Sequence, residues 1–270
     1  MPTQPALSKA APRLAVIDWG LAEAALALGV VPVAAAELDG YARWVKAPAM
    51  PPGVIDLGLR GEPNLEALHR AAPDLILTTP QFAPFLPRLE RIAPVASFAT
   101  YQPGGNPLER SFDIVMDLGR RLGRPDRAAA LRAEAAAVFA AAAVRLDRVR
   151  PLLVAGFVDQ RHLRVYGGNS LFGATLARLG LVNGWTAPTS AWGFATVGVE
   201  HLAVSPEAQL LLLDPMPPDL RASLPRNPIW QALPAVRAGR VTLLPPCWAF
   251  GGLPSAMRFA DLLAAGLADG

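Results

Sequence analysis

The chain is predicted to be an α/β protein of two lobes, each a mainly parallel sheet with flanking helices, joined by one long linking helix. Three observations predict it. Short apolar runs at residues 14–17, 30–35, 75–78 and 95–98 alternate with helical segments, and Pro80, Pro84, Pro87 and Pro94 punctuate the joins. Strands and helices that alternate over short joins build a parallel sheet covered on both faces. The alternation starts afresh at residues 152–157. Between the two halves, Pro125-Asp126 opens an alanine-rich helix that Pro151 prevents from continuing. Proline suits a first helical turn and aspartate complements the helix dipole there. A helix over residues 126–148 is about 35 Å long, the width of a small domain. The domains follow as 1–124, an N-terminal lobe; 125–150, the linking helix; and 151–270, a C-terminal lobe.

In the first lobe, residues 14–17 are a buried strand and 21–28 a helix closed by Gly29. After the strand at 30–35 comes the most informative stretch, residues 54–66. An apolar run ends in a turn holding Gly58 and Arg60, and Pro63-Asn64 then start a short helix carrying Glu66. Asn106-Pro107 opens a helix that runs to Leu122, before Gly123. In the second lobe, the strand at 152–157 has a hairpin partner at 163–166, and a helix over 171–179 ends at Gly180. Strands at 210–213 and 241–244 flank a helical region at 227–237, and residues 254–267 form the terminal helix.

Composition narrows the function. Hydrophobic residues make up 52% and charged residues 17% of the 270, as in a compact protein rather than a disordered one. No apolar run is long enough to span a membrane as a helix. Basic residues number 25, of which only Lys9 and Lys46 are lysines. Any one arginine therefore carries little information. No basic cluster interleaved with aromatics marks a nucleic-acid track, so no nucleic-acid partner is expected. Cys247 is the only cysteine, which excludes an internal disulfide. Residues 1–11 show no basic start followed by an apolar stretch, so no signal peptide is visible and a removed leader is expected.

Enzyme signatures are missing: there is no G-x-S-x-G elbow, no phosphate-binding loop and no H-E-x-x-H helix. His69, His162 and His201 stand far apart without neighbours at metal-ligand spacing, so each reads as a surface or structural residue. No metal site and no cofactor are expected, and any iron must arrive already chelated. Gly167-Gly168-Asn169-Ser170 before a helix reads as a capped turn ahead of an anion nest.

Two groups of residues point to a ligand. Trp44, Phe82, Trp192, Trp248 and Phe250 all fall in or beside segments rich in proline or glycine, and Trp19 sits at the first strand-to-helix join. Such aromatics plug a core or line a cleft, and their pattern leaves both readings open. Trp185 and Trp230 read as structural. Arg60 is open in the same way, between the surface and a ligand-facing loop.

With these residues in view, the chain resembles the class III periplasmic substrate-binding proteins, and within them the ferric hydroxamate siderophore-binding branch. The likeness runs over residues 12–267. It is carried by Tyr41-Ala42-Arg43-Trp44-Val45, by residues 54–66, by Val165-Tyr166-Gly167-Gly168-Asn169-Ser170-Leu171-Phe172 and by Trp192-Gly193. The other pieces are residues 229–241, Cys247-Trp248-Ala249-Phe250-Gly251 and Ser255-Ala256-Met257. The resemblance implies a non-enzymatic, monomeric receptor in the periplasm. Such a receptor binds a ferric hydroxamate-type siderophore between its lobes and delivers it to an ABC permease in the inner membrane. It implies that Arg60 meets the iron-chelating oxygens and that Trp44, Trp192 and Trp248 form pocket walls. Phe82 and Phe250 stand where the family has tyrosines, which makes the pocket greasier and leaves Gln81 or Tyr101 to supply a hydroxyl's contact. Glu66 and Glu200 correspond to the two acidic residues that dock onto permease arginines.

The chemistry agrees: three hydroxamates neutralise Fe³⁺, and one arginine with aromatic walls suits an uncharged complex, whereas a triscatecholate would call for several converging cations. Cobalamin, haem or a carboxylate siderophore in the same receptor class, and a cytoplasmic α/β enzyme, are the alternatives.

Overall fold

The structure is a computed structural model that describes residues 12–146 and 149–267. The first lobe contains β1 (Leu14–Val16), α1 (Trp19–Ala27), β2 (Ala34–Ala35), α2 (Leu38–Trp44), β3 (Ile55–Asp56), α3 (Leu65–Ala71), β4 (Leu75–Thr78), α4 (Leu86–Leu89) and β5 (Val95–Ser97). Its strands make one parallel sheet in the order β3-β2-β1-β4-β5. Helices α5 (Pro107–Arg121) and α6 (Pro125–Arg145) follow. The second lobe contains β6 (Leu152–Phe157), β7 (His162–Tyr166), α7 (Leu171–Arg178), β8 (Phe194–Gly198), β9 (Gln209–Leu213), α8 (Pro218–Ser223), α9 (Pro228–Ala232), α10 (Pro234–Arg237), β10 (Val241–Leu244) and α11 (Leu253–Gly266). Its order is β10-β9-β6-β7-β8, with the first three strands parallel and β7 and β8 added antiparallel.

Strand alternation sets the layers. Leu14 and Val16 face one side of the first sheet, Ala15 and Ile17 the other. In the second sheet Leu152, Val154, Leu211 and Leu213 face inward, and Leu153, Ala155, Leu210 and Leu212 face α8–α10. The inward faces of both sheets, with α1, α5, α6, α7 and α11 between them, form one continuous apolar core. The link between lobes is thus more than the single helix expected. Helix α6 packs on α5 and α11, and α11 also packs on α1 and α7. Relative motion of the lobes would have to shear packed apolar layers as well as bend a helix. Of the expected linking helix, residues 147 and 148 lie outside the described residues.

Several elements differ from expectation. The apolar run that leads into the Gly58 turn forms β3, a two-residue edge strand with both residues exposed. Helix α2 has no sequence signal at its start: Glu37 precedes it in a left-handed conformation and makes no side-chain cap. Strand β8 occupies a segment that reads as loop. The capped-turn reading of residues 167–170 matches the geometry, for the Ser170 hydroxyl accepts from the Gly173 N–H at 2.9 Å. Trp185 and Trp230 are buried in the outer core of the second lobe.

Candidate functional site

A cleft opens between the lobes where the β1–α1 and β3–α3 loops of the first face β7, β8 and the β10–α11 loop of the second. It has two adjoining compartments, of about 550 and 290 Å³. Both are lined by Arg60, Arg164, Trp248 and Phe250.

On the first lobe, Gly58 at φ +70° makes the turn that brings Arg60 into the floor. The guanidinium carbon lies 3.6 Å from the Trp19 ring centroid and 5.3 Å from that of Trp248. Arg60 Nε donates to Glu37 Oε2 at 2.9 Å, and among the described residues its two Nη groups have no partner. The flat side of the cation rests on indole while its edge stays open, a geometry suited to an oxygen-rich ligand. Trp19 is fixed by its Nε1–H, which donates to Ala36 O at 3.0 Å. Asp18 lines the larger compartment and caps α1, accepting from the N–H groups of Gly20 and Leu21. Burial raises its pKa, while those N–H groups and the Arg60 charge pull it back down.

The aromatic wall crosses both lobes. Trp44 lies 6.3 Å from Trp248, Trp248 5.3 Å from Phe250, and Phe250 6.1 Å from Trp192. Tyr101 stacks obliquely on Trp192 at 5.6 Å. Gly193 delivers Trp192: its φ is +77°, and a Cβ there would come within 2.4 Å of Ser170 Cα. Trp192 is left 41% exposed at the rim.

The structure therefore brings Arg60, Trp19, Trp44, Tyr101, Trp192, Trp248 and Phe250 together. Phe82 is a correction. It is buried in the apolar cluster that includes Ala15, Ile17 and Leu89 on the far side of the first sheet, because the 3-10 turn Pro80–Phe85 rotates it inward and its neighbour Gln81 into the cleft. Tyr101 is also spoken for: its hydroxyl donates to Ala249 O at 2.7 Å and accepts from the Leu171 N–H, tying the lobes together. Gln81, with no hydrogen bond among the described residues, is the cleft's uncommitted side-chain amide.

Sequence reasoning missed Arg164 and Phe194. Arg164 lies 4.8 Å over Phe194 and 5.9 Å over Phe250. The alternation Leu163-Arg164-Val165 carried the signal, since both flanking residues face the core and the arginine must face the other way. The expectation of a lone guanidinium is replaced by two.

Glu66 and Glu200 both lie on the outer surface, Glu66 beside Arg70 and Glu200 beside His201. His69, His162 and His201 are exposed, and among the described residues no group of acidic, histidine and cysteine side chains is placed to hold a metal ion. No described helix is long and apolar enough to cross a membrane.

The chain is similar to known proteins over nearly its whole length. It is 34% identical to the iron(3+)-hydroxamate-binding protein FhuD of Escherichia coli K12, covering 93% of this chain and 85% of that one. The crystal structure of Vibrio cholerae FhuD with Fe³⁺-Desferal superposes with a TM-score of 0.90 at 29% identity, covering 96% and 98% of the two chains. FeuA of Bacillus subtilis, a triscatecholate siderophore binding protein, shares the fold at a TM-score of 0.77 and 20% identity, over 95% and 92%. These relatives are binding proteins rather than enzymes. The periplasmic binding protein family model matches residues 14–247, and the chain belongs to that family.

Proposed function

We propose that this protein is the receptor of an ATP-driven importer and that it takes up ferric hydroxamate siderophores in the interlobe cleft. The observation that carries the reading is the floor of the cleft. Arg60 lies flat on Trp19 with its Nη edge unpartnered among the described residues, surrounded by aromatic rings from both lobes. Hydroxamate oxygens around iron carry partial negative charge and accept hydrogen bonds, and the methylene links of the ligand are apolar. A guanidinium edge serves the first and aromatic faces serve the second. Similarity to the E. coli and V. cholerae proteins supports the same ligand class.

Iron enters as part of the substrate. The family supports a location outside the cytoplasm, and we place the protein in the periplasm as a monomer. Glu66 and Glu200, exposed on the first and second lobes, are the proposed contacts to arginines of the permease.

Titration with ferrioxamine or ferrichrome complexes is expected to quench tryptophan fluorescence saturably at micromolar concentration, since several indoles line the cleft. Absence of quenching by every ferric hydroxamate tried would overturn the assignment. Charge reversal at both docking positions, Glu66→Arg with Glu200→Arg, is expected to abolish uptake in cells while leaving this quenching intact. Uptake at the wild-type rate would remove the docking role.

A further inference from the structure

The charged groups lining the cleft are unequally committed. Asp18 is held by two N–H groups of α1, Glu37 by Arg60, and Asp214 by Arg221 and the Met216 N–H. Arg164 differs. Among the described residues its guanidinium has neither a carboxylate partner nor a hydrogen bond, only the faces of Phe194 and Phe250. It projects from β7, a strand in the middle of the β6-β7-β8 antiparallel run, so its backbone is fixed on both sides.

A ligand that fills the cleft takes water from this cation. With an uncharged chelate, Arg164 would lose hydration and gain no counter-charge, which is unfavourable for any ion moved out of water. A chelate bearing an ammonium group adds repulsion. A chelate bearing a carboxylate removes both penalties, and the planar fork of arginine can engage both oxygens. Arg60 cannot take that role as well, because Glu37 already balances its charge.

We infer that Arg164 is a specificity-determining cation, and that the cleft takes ferric hydroxamates carrying an anionic carboxylate ahead of neutral or cationic ones. The inference rests on the hydroxamate reading of the cleft and names the subclass.

A matched series of iron complexes tests it: ferrioxamine B with its terminal ammonium, the N-acetylated derivative, and the N-succinylated derivative with a terminal carboxylate. The core chelate is the same in all three. Dissociation constants from tryptophan quenching are expected to fall from ammonium to acetyl to succinyl. The ends should differ by on the order of tenfold at low ionic strength, and by less in added salt. Arg164→Leu is expected to remove the spread and Arg164→Lys to retain the order. Equal affinity of the wild-type protein for all three, or equal weakening of all three in Arg164→Leu, would overturn the inference and leave the hydroxamate reading standing. Failure of all three to bind would remove that reading, and the inference with it.

Discussion

The two walls of the cleft hold their arginines in opposite ways. On the first lobe, the floor is held before any ligand arrives: Asp18 caps a helix, Trp19 donates to Ala36, and Arg60 Nε is held by Glu37, while the Arg60 Nη groups and the Gln81 amide have no partner among the described residues. On the second lobe, among the described residues, the Arg164 guanidinium has no hydrogen bond or carboxylate partner and the buried Trp248 Nε1–H finds no acceptor, and Trp192 is partly exposed at the rim. The first wall is a preorganised floor whose geometry does not wait for the ligand, which lowers the cost of binding. The second wall holds the arginine whose guanidinium has neither a carboxylate partner nor a hydrogen bond among the described residues. On the reading proposed above, anchoring the chelate falls to the parallel-sheet lobe, and choosing among chelates to the antiparallel hairpin of the other.

This division can be broken. Arg60→Ala combined with Glu37→Gln removes the anchoring donors without leaving an unpaired carboxylate in the cleft. A loss of about 2 kcal/mol or more in binding free energy, some 30-fold in Kd, is expected for every ferric hydroxamate alike. A loss that depended on the charge of the chelate would place selection on the wrong wall.

The seam between the walls gives an effect of similar size, read as stability. Glu23 of α1 is fully buried, and its carboxylate accepts from the Gly252 and Ser255 N–H groups and the Ser255 hydroxyl at the start of α11. Burial raises its pKa to about 7, against the pull of those donors. A carboxyl raised in the fold contributes stability that is complete below its ordinary value of 4.5 and is lost as the pH rises through about 7. Between pH 5 and pH 8 this group is expected to cost about 2.5 kcal/mol. Glu23→Gln should flatten that part of the melting-temperature profile, and a variant whose profile parallels the wild type would show that Glu23 does not titrate there.

Trp192→Ala is expected to have the least effect, about 1 kcal/mol in affinity, because the ring is part-exposed at the rim. A loss as large as that of Arg60→Ala with Glu37→Gln would erase the contrast between anchor and rim.

Much of this was legible in the sequence. Strands β4, β6 and β10 lie at the residues their apolar runs mark, and the Asn106-Pro107 and Pro125 starts mark α5 and α6. Those signals are local: period, proline and cap. What escaped depends on neighbours distant in sequence. Phe82 and Gln81 exchange roles through one residue's rotation in a 3-10 turn, which no periodicity reports. Helix α2 starts without a cap and β8 borders a loop, so neither has a boundary signal. Arg164 was hidden by the abundance of arginine, although the alternation of β7 pointed it away from the core.

Native mass spectrometry with iron-loaded and iron-free desferrioxamine B tests the central claim most directly, with wild-type protein beside the Arg60→Ala, Trp192→Ala double variant. The wild-type chain is expected to retain one intact iron-siderophore complex, and the double variant to lose it. No adduct, an equal preference for the iron-free molecule, or an adduct untouched by the double substitution would contradict a ferric hydroxamate site in this cleft.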